Sequence, residues 1–186
     1  MNALKQIEQL QPQEIEKRSF EIIGEELAAR GITLPKDQEM ITKRVIHTSA
    51  DFEYTKTLMY SKDAVRIAQD LICEGADIVT DTNMALAGIN KKALATFGGE
   101  AHCFMADPEV ARLAKERGTT RATVSMEMAA RSDKPVIFAV GNAPTALIQI
   151  DKMMRESNWR PAFVIGVPVG FVNVEAAKEL MIESDV

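Results

Sequence analysis

Five apolar residues in unbroken succession, Val136, Ile137, Phe138, Ala139 and Val140, stand between Pro135 and Gly141. An apolar run of that length, with no polar alternation and with breakers at both ends, predicts a strand buried on both faces. The strand empties into Gly141-Asn142, a pair that tolerates unusual backbone angles, and then into Pro144, which suits the first position of a helix. The same order of signals returns between Pro161 and Val172, where Phe163–Ile165 run into Gly166, Pro168 and Gly170.

Helical spacing organises most of the remaining chain. From Pro12 to Arg30 the apolar residues Ile15, Ile22, Ile23 and Leu27 recur at helical intervals, and Gly31 ends the pattern. Ser19 shares a face with Ile15 and Ile22 and is expected to be buried with them. A second helix is predicted from Asp37 to His47 or slightly beyond. Ser61 is read as the cap of a helix that carries Ala64, Val65, Ala68, Leu71 and Ile72 on one face and stops at Gly75. Asp77–Thr80 reads as a short strand, Ala85–Thr96 as a helix stopped by Gly98-Gly99, and His102–Met105 as the next strand. Asp107-Pro108-Glu109 is a strong helix start, that helix ends near Gly118, and Thr119 or Thr120 caps the following one. After Asn173 the chain returns to helix through Met181. Strands alternating with helices predict an α/β fold: a mostly parallel sheet in three αβα layers, similar to flavodoxin, with four visible strands. In such sheets ligands gather at the carboxyl ends of the strands. The turns after Thr80, Val140 and Ile165 are therefore the first places to look for chemistry.

Composition narrows the picture. A chain of 186 residues that is 46% hydrophobic predicts one domain spanning residues 1–186. The formal charge of -5 argues against a nucleic-acid partner, whose footprint would be a basic patch. Cys73 and Cys103 lack CxxC spacing and lie among apolar residues, so both are expected to be buried free thiols in a reducing compartment. No charged-then-apolar leader is seen, and no apolar run approaches the ~18 residues of a membrane span. The expectation is a soluble, cytoplasmic protein with no membrane partner. GxGxxG, GxxxxGK[ST] and GxSxG are all absent. Ligands at zinc or iron spacing are absent too, so no metal site is expected.

A few residues carry possible chemistry. There are two histidines, and imidazole is the side chain that changes charge near neutrality. If the second helix runs on, His47 has Lys43 and Arg44 one turn before it and Asp51 one turn after; the cations favour its neutral form and the carboxylate its charged one. Alternatively it simply finishes a helix. His102 lies in a short apolar strand, where a satisfied sheet-end histidine is the default. Arg121 stands near the amino end of a helix, where a cation opposes the helix dipole, so either a carboxylate ligand compensates it or it is an ordinary surface arginine. Ser19 either back-bonds to the preceding turn or meets a ligand. Asn142 either offers its amide to a ligand or only shapes its turn. Asp81 and Met84 belong to the turn after Thr80.

The segments GNAPTAL (Gly141–Leu147) and GVPVGFV (Gly166–Val172) resemble the precorrin-8X methylmutase family, which includes the cobalt-precorrin-8 enzymes of anaerobic cobalamin synthesis. RSFEII (Arg18–Ile23), VIHTSADF (Val45–Phe52), TDTNMALAGI (Thr80–Ile89) and GTTRA (Gly118–Ala122) add to the likeness along nearly the whole chain. The HTSADF form looks more like the anaerobic branch. The resemblance implies an isomerase that moves a methyl group from carbon 11 to carbon 12 of ring C in precorrin-8X or cobalt-precorrin-8, giving hydrogenobyrinate or cobyrinate. This is a 1,5-sigmatropic shift that needs no protein-supplied cofactor or metal. It further implies His47 as proton donor and Ser19, Asp81, Met84, Arg121, Gly141 and Asn142 around the tetrapyrrole. Backbone N–H groups near Gly141 and Gly166 would help Arg121 hold its carboxylates, and the protein would be a homodimer. Members of the family continue with a further strand, a Gly-rich turn and a last helix, so the fold is expected to lack that last strand. Two other readings stand beside this one: a non-catalytic corrinoid carrier, and a flavin binder suggested by fold alone.

Overall fold

The Val136–Val140 run forms β3, central in a four-stranded, all-parallel sheet of order β2-β1-β3-β4, in a computed structural model that describes residues 8–184. The chain's end at Val186, on which the expected loss of a last strand rests, lies outside those residues. β1 (Asp77–Thr80) pairs with β3 in the register Asp77 to Val136 through Thr80 to Ala139. β4 (Phe163–Gly166) flanks β3 on its other side, with Ile137 opposite Phe163 and Val140 opposite Gly166. β2 is only Ala101–His102, shorter than the expected His102–Met105, and lies beside β1 at the sheet's edge.

Contacts gather the chain into two compact units, one closing at Tyr60 and the other opening at Ser61. The first is helical: α1 (Pro12–Ala29), α2 (Glu39–Ser49) and the single turn α3 (Tyr54–Thr57). α1 opens with the Gln11 N–H donating to the Glu14 carboxylate at 3.0 Å and closes at Gly31, whose φ of 68° suits glycine. Its buried stripe is Ile23 and Leu27, packed with Ile46 of α2 and flanked by Phe20, Phe52 and Tyr54. Ile15 and Ile22 are 52% and 47% exposed, so the face shared by Ile15, Ser19 and Ile22 is not the core face that spacing suggested. Ile22 and Ile23 are adjacent, and only one of two adjacent residues can sit at the centre of a helical stripe.

The second unit carries the sheet. α4 (Ala64–Cys73) begins after Asp63, in the left-handed region at φ 57°, rather than under a Ser61 cap. The helix expected over Ala85–Thr96 is two short ones, α5 (Asn83–Gly88) and α6 (Lys91–Ala95). Gly88 ends the first, and Asn90 starts the second by accepting the Ala93 N–H at 3.0 Å. α7 (Pro108–Arg117) begins under Asp107, which accepts the Glu109 N–H at 2.7 Å, and ends at Gly118; α8 (Arg121–Ala129) begins under Thr120. α9 (Pro144–Glu156) joins β3 to β4, and α10 (Val174–Ile182) follows β4. Right-handed crossovers place the helices after β2 and β3 on one face and those after β1 on the other. Val79, Phe138 and Val140 pack on Ala122 and Met126 of α8 and on Leu147 and Ile150 of α9 to form the main core. Cys73 is exposed and Cys103 half-buried, both free, which corrects the expectation of two buried thiols. Cys73 falls in the last turn of α4, on the side its apolar stripe leaves to solvent.

Candidate functional site

β1, β3 and β4 are adjacent and parallel, so the loops leaving their carboxyl ends share one end of the sheet. The sheet order reverses beside β1, since β2 lies on one side of it and β3 on the other, which makes this end a topological switch point. Asp81, the first residue after β1, is 0% exposed and reaches across to the loop after β3. Its Oδ1 accepts the Gly141 N–H at 3.0 Å, and its Oδ2 accepts the N–H groups of Asn142 at 2.8 Å and Ala143 at 2.5 Å. Asp81 thus lies beneath the loop and holds it from inside. The Gly141 N–H is committed to that carboxylate and is not free for an anionic ligand, contrary to what the family resemblance implied for the backbone N–H groups near Gly141. Val167, just past Gly166, likewise spends its N–H on the Val140 carbonyl at 2.9 Å.

Asn142 is exposed above the clamp, with only its backbone engaged by Asp81. Arg121 begins α8 and is exposed. Its neighbour Thr120 accepts the Thr123 N–H at 3.1 Å and donates its own hydroxyl to Thr145 Oγ1, also at 3.1 Å. That bond ties the start of α8 to the first turn of α9 and so brings Arg121 to the β3–α9 loop. The arginine and lysine ion pairs of this unit use Arg66, Arg112, Arg117, Lys134, Lys152 and Arg155, and Arg121 is in none of them. Met84 lies in the first turn of α5, just past Asp81, and is 85% exposed. The loop after β4 adds more uncovered apolar surface: Val169, Val172 and the fully exposed Phe171, around Gly170 at φ 125°. Phe171 and Val169 were not singled out in sequence. The signal that could have found them is an apolar residue on either side of a glycine in a strand-end loop, where a buried role is geometrically difficult.

The helical unit carries Ser19 and His47. The Ser19 hydroxyl donates to the Ile15 carbonyl at 2.8 Å, the back-bonding alternative, so its oxygen remains open only as an acceptor. His47 is exposed in the last turn of α2, its ring centroid 5.8 Å from that of Phe20, the residue after Ser19. α1 and α2 therefore bring the Ser19 and His47 positions to one helix–helix contact. Lys43 pairs with Glu39 and Arg44 with Glu16, each at 2.5 Å, and the Arg44 guanidinium also lies 5.0 Å from the centroid of the Phe20 ring that His47 approaches. α2 stops at Ser49, with Ala50 left-handed at φ 55°, so Asp51 is not one helical turn from His47. Asp51 instead accepts the Glu53 N–H at 2.9 Å and shapes the turn into α3.

Two cavities, of about 420 and 300 Å³, lie elsewhere. The first is lined by Gly24, Leu27, Leu34 and Lys43, and the second by Asp77, His102, Phe104 and Arg131. Neither is lined by any of the expected site residues. His102 sits at the sheet edge with its Nε2 3.7 Å from Glu100 and 3.9 Å from Asp77, as a sheet-end histidine would. Among the described residues, no cluster of three or more His, Cys, Asp or Glu is placed to hold a metal ion, and no helix is long and apolar enough to cross a membrane.

Residues 14–186 match the family model described as CbiC, precorrin-8X methylmutase. The chain is 41% identical over 170 residues to the cobalt-precorrin-8 methylmutase of Priestia megaterium, covering 91% of this chain and 75% of that one. It is 43% identical over 181 residues to the cobalt-precorrin-8 methylmutase of Salmonella typhimurium, covering 94% and 83%. The crystal structure of precorrin-8x methyl mutase from Thermus thermophilus superposes with a TM-score of 0.82 at 37% identity, over 94% of this chain and 83% of that one.

Proposed function

The chain belongs to the precorrin-8X methylmutase family, isomerases of cobalamin biosynthesis that act on a precorrin-8-type tetrapyrrole, and from that premise we propose that it moves a methyl group from carbon 11 to carbon 12 of cobalt-precorrin-8, giving cobyrinate. The observation that carries this reading is the family match over residues 14–186, on a fold whose strand-end loops expose apolar side chains and whose Arg121, at the start of α8, is in no ion pair among the described residues. A macrocycle with an apolar face and a carboxylate rim calls for that combination. Cobalt is preferred over the metal-free form because both curated relatives above carry it in their substrate's name.

In the proposed reaction the bond from the methyl to carbon 11 breaks as its bond to carbon 12 forms, and the conjugated double bonds shift to match. Atoms and electrons balance within one molecule, so the step calls for no methyl donor, oxidant or resident cofactor; cobalt enters and leaves with the substrate. What the protein contributes is orientation and polarisation of the conjugated system. His47 donates a proton, or a hydrogen bond, to a nitrogen or to ring C. General acid assistance of this kind is worth about 10²- to 10⁴-fold. Arg121 takes a substrate carboxylate through its guanidinium fork. Asn142 offers its side-chain amide, Gly141 and Met84 supply contact surface, and Ser19 accepts a hydrogen bond. The reading also takes the protein to be a homodimer of the cytoplasm, without a nucleic-acid partner.

The test is anaerobic absorption spectroscopy of the chain mixed with cobalt-precorrin-8 and, separately, with precorrin-8X. A time-dependent change to the product chromophore supports the isomerase and shows which substrate is preferred. An immediate change that then stays constant indicates a corrinoid carrier and overturns the catalytic reading.

A further inference from the structure

Three aspartates are buried among the described residues, and their partners differ in kind. Asp151 is held by Arg155 at 2.8 and 2.9 Å, and Asp77 by Lys134 at 3.3 Å together with the Glu100 N–H at 2.8 Å. Asp81 is the most deeply buried of the three, and its recorded partners are three consecutive backbone N–H groups, with no cation among them. A buried carboxylate without a cation is costly and persists where fixed dipoles replace water around it. Here the dipoles are those of Gly141, Asn142 and Ala143, together with the amino end of α9, a helix of 13 residues. The sequence separation of 60 to 62 positions means that this contact crosses from the end of β1 to the end of β3. It spans the switch point itself.

We propose that Asp81 is a positioning residue for the methyl shift: its carboxylate fixes the Gly141–Ala143 turn in the one conformation that orients the substrate, without touching the substrate itself. Three donors on two oxygens determine both the height and the tilt of the turn, which a single hydrogen bond would not. The same bonds consume the turn's amides, and the Ala143 carbonyl accepts the Ala146 N–H at 3.0 Å, so the turn presents the exposed Asn142 side chain rather than an anion-binding nest. Substrate carboxylates must then be met by side chains, and Arg121, tied to the same turn through Thr120 and Thr145, is the one at hand. The proposal rests on the reading that the β3–α9 loop faces the substrate.

Asp81→Asn keeps the shape but replaces one acceptor oxygen with an NH₂ group that faces backbone donors. Asp81→Glu keeps both oxygens and the charge but displaces them by a methylene. The experiment measures amide hydrogen exchange at Gly141, Asn142 and Ala143 by NMR in the parent chain and both variants. It pairs this with the single-turnover rate and the dissociation constant for cobalt-precorrin-8. The parent amides should be protected, and both variants should exchange faster at these three positions. The single-turnover rate should fall roughly a hundredfold, as expected for about 1 Å of misplacement, while the dissociation constant stays within about threefold. Amides that exchange in the parent as fast as in a free peptide overturn the clamp, and this measurement needs no variant to fold. Faster exchange with unchanged turnover overturns the positioning role. Weakened binding with an unchanged rate at saturation would mean that Asp81 meets the substrate directly, which also overturns it. If the parent itself does not turn over the tetrapyrrole, the proposed function fails while the exchange data still decide the clamp.

Discussion

The proton-donor role proposed for His47 is a claim about one side chain and is tested at that side chain. His47 is solvent-accessible in the last turn of α2, it rests on Phe20, and no hydrogen bond fixes either of its nitrogens among the described residues. His47→Ala should therefore leave the fold and tetrapyrrole binding intact and lower turnover by about 10²- to 10⁴-fold, measured under single-turnover conditions. A variant that isomerises at the parent rate would remove the proton-donor role. Arg121 belongs to a different class of effect. Its guanidinium stands at the amino end of α8, where the dipole is unfavourable by about 0.3–1 kcal/mol, a cost that surface arginines tolerate. A bidentate contact to a substrate carboxylate is worth about 1.5–3 kcal/mol, which exceeds that cost. Arg121→Ala should weaken binding by roughly tenfold to a hundredfold, with turnover at saturation little changed. Arg121→Lys should restore only part of it, because a point charge does not reproduce the planar fork. Fluorescence quenching titrations would read both.

At the scale of elements, stability is concentrated where β3 meets α8 and α9. Phe138 is fully buried and packs edge-on against Trp159, their centroids 5.7 Å apart at 86°. Phe138→Ala should destabilise by about 3–5 kcal/mol in denaturant unfolding, through lost burial plus the cavity left behind. Gly99 has a narrower function: a Cβ built there would run into the Ala76 carbonyl and come within 2.9 Å of Leu94 Cδ1. Gly99→Ala should cost roughly 1–3 kcal/mol in the same assay, because backbone rather than a flexible side-chain end must yield. An unchanged midpoint would show that the backbone at Gly99 and Ala76 shifts freely. The elements best read from sequence were those in which one physical signal dominated. Val136–Val140 had no alternation to misread, and Asp107-Pro108 started α7 with two independent signals. Where signals competed, the reading slipped. Two adjacent isoleucines made the buried stripe of α1 ambiguous, and a helix-friendly 85–96 stretch hid the break at Gly88–Asn90. The strand-end turns were legible as places, but not as arrangements. That Asp81 would lie beneath Gly141 depends on β1 and β3 being sheet neighbours, and no local pattern encodes that pairing.

For the molecule as a whole, an acidic chain bound to an anionic tetrapyrrole poses an electrostatic question that neither residue nor element answers. The formal charge of -5 is spread over the surface, and many of its carboxylates are already matched. Glu109 and Glu116 flank Arg112, whose guanidinium they hold even more firmly protonated than usual; Arg112 in turn holds the Glu109 carboxyl below the usual range. Glu8 does the same for Arg18. Exposed charges more than a Debye length from a bound ligand, about 10 Å at 0.1 M salt, are largely screened at working ionic strength. A carboxylate in contact with Arg121 lies well inside that distance and feels the cation far more strongly. Local attraction should therefore outweigh global repulsion, and added salt should weaken tetrapyrrole binding. In Arg121→Ala the attraction is gone and only the diffuse repulsion is left, so the dependence should flatten or turn slightly favourable. Titrating cobalt-precorrin-8 against the parent and the variant from low to high salt distinguishes the cases. A parent that binds more tightly as salt rises would mean that the diffuse charge governs association, and the carboxylate rim would then have to be recognised by groups other than Arg121.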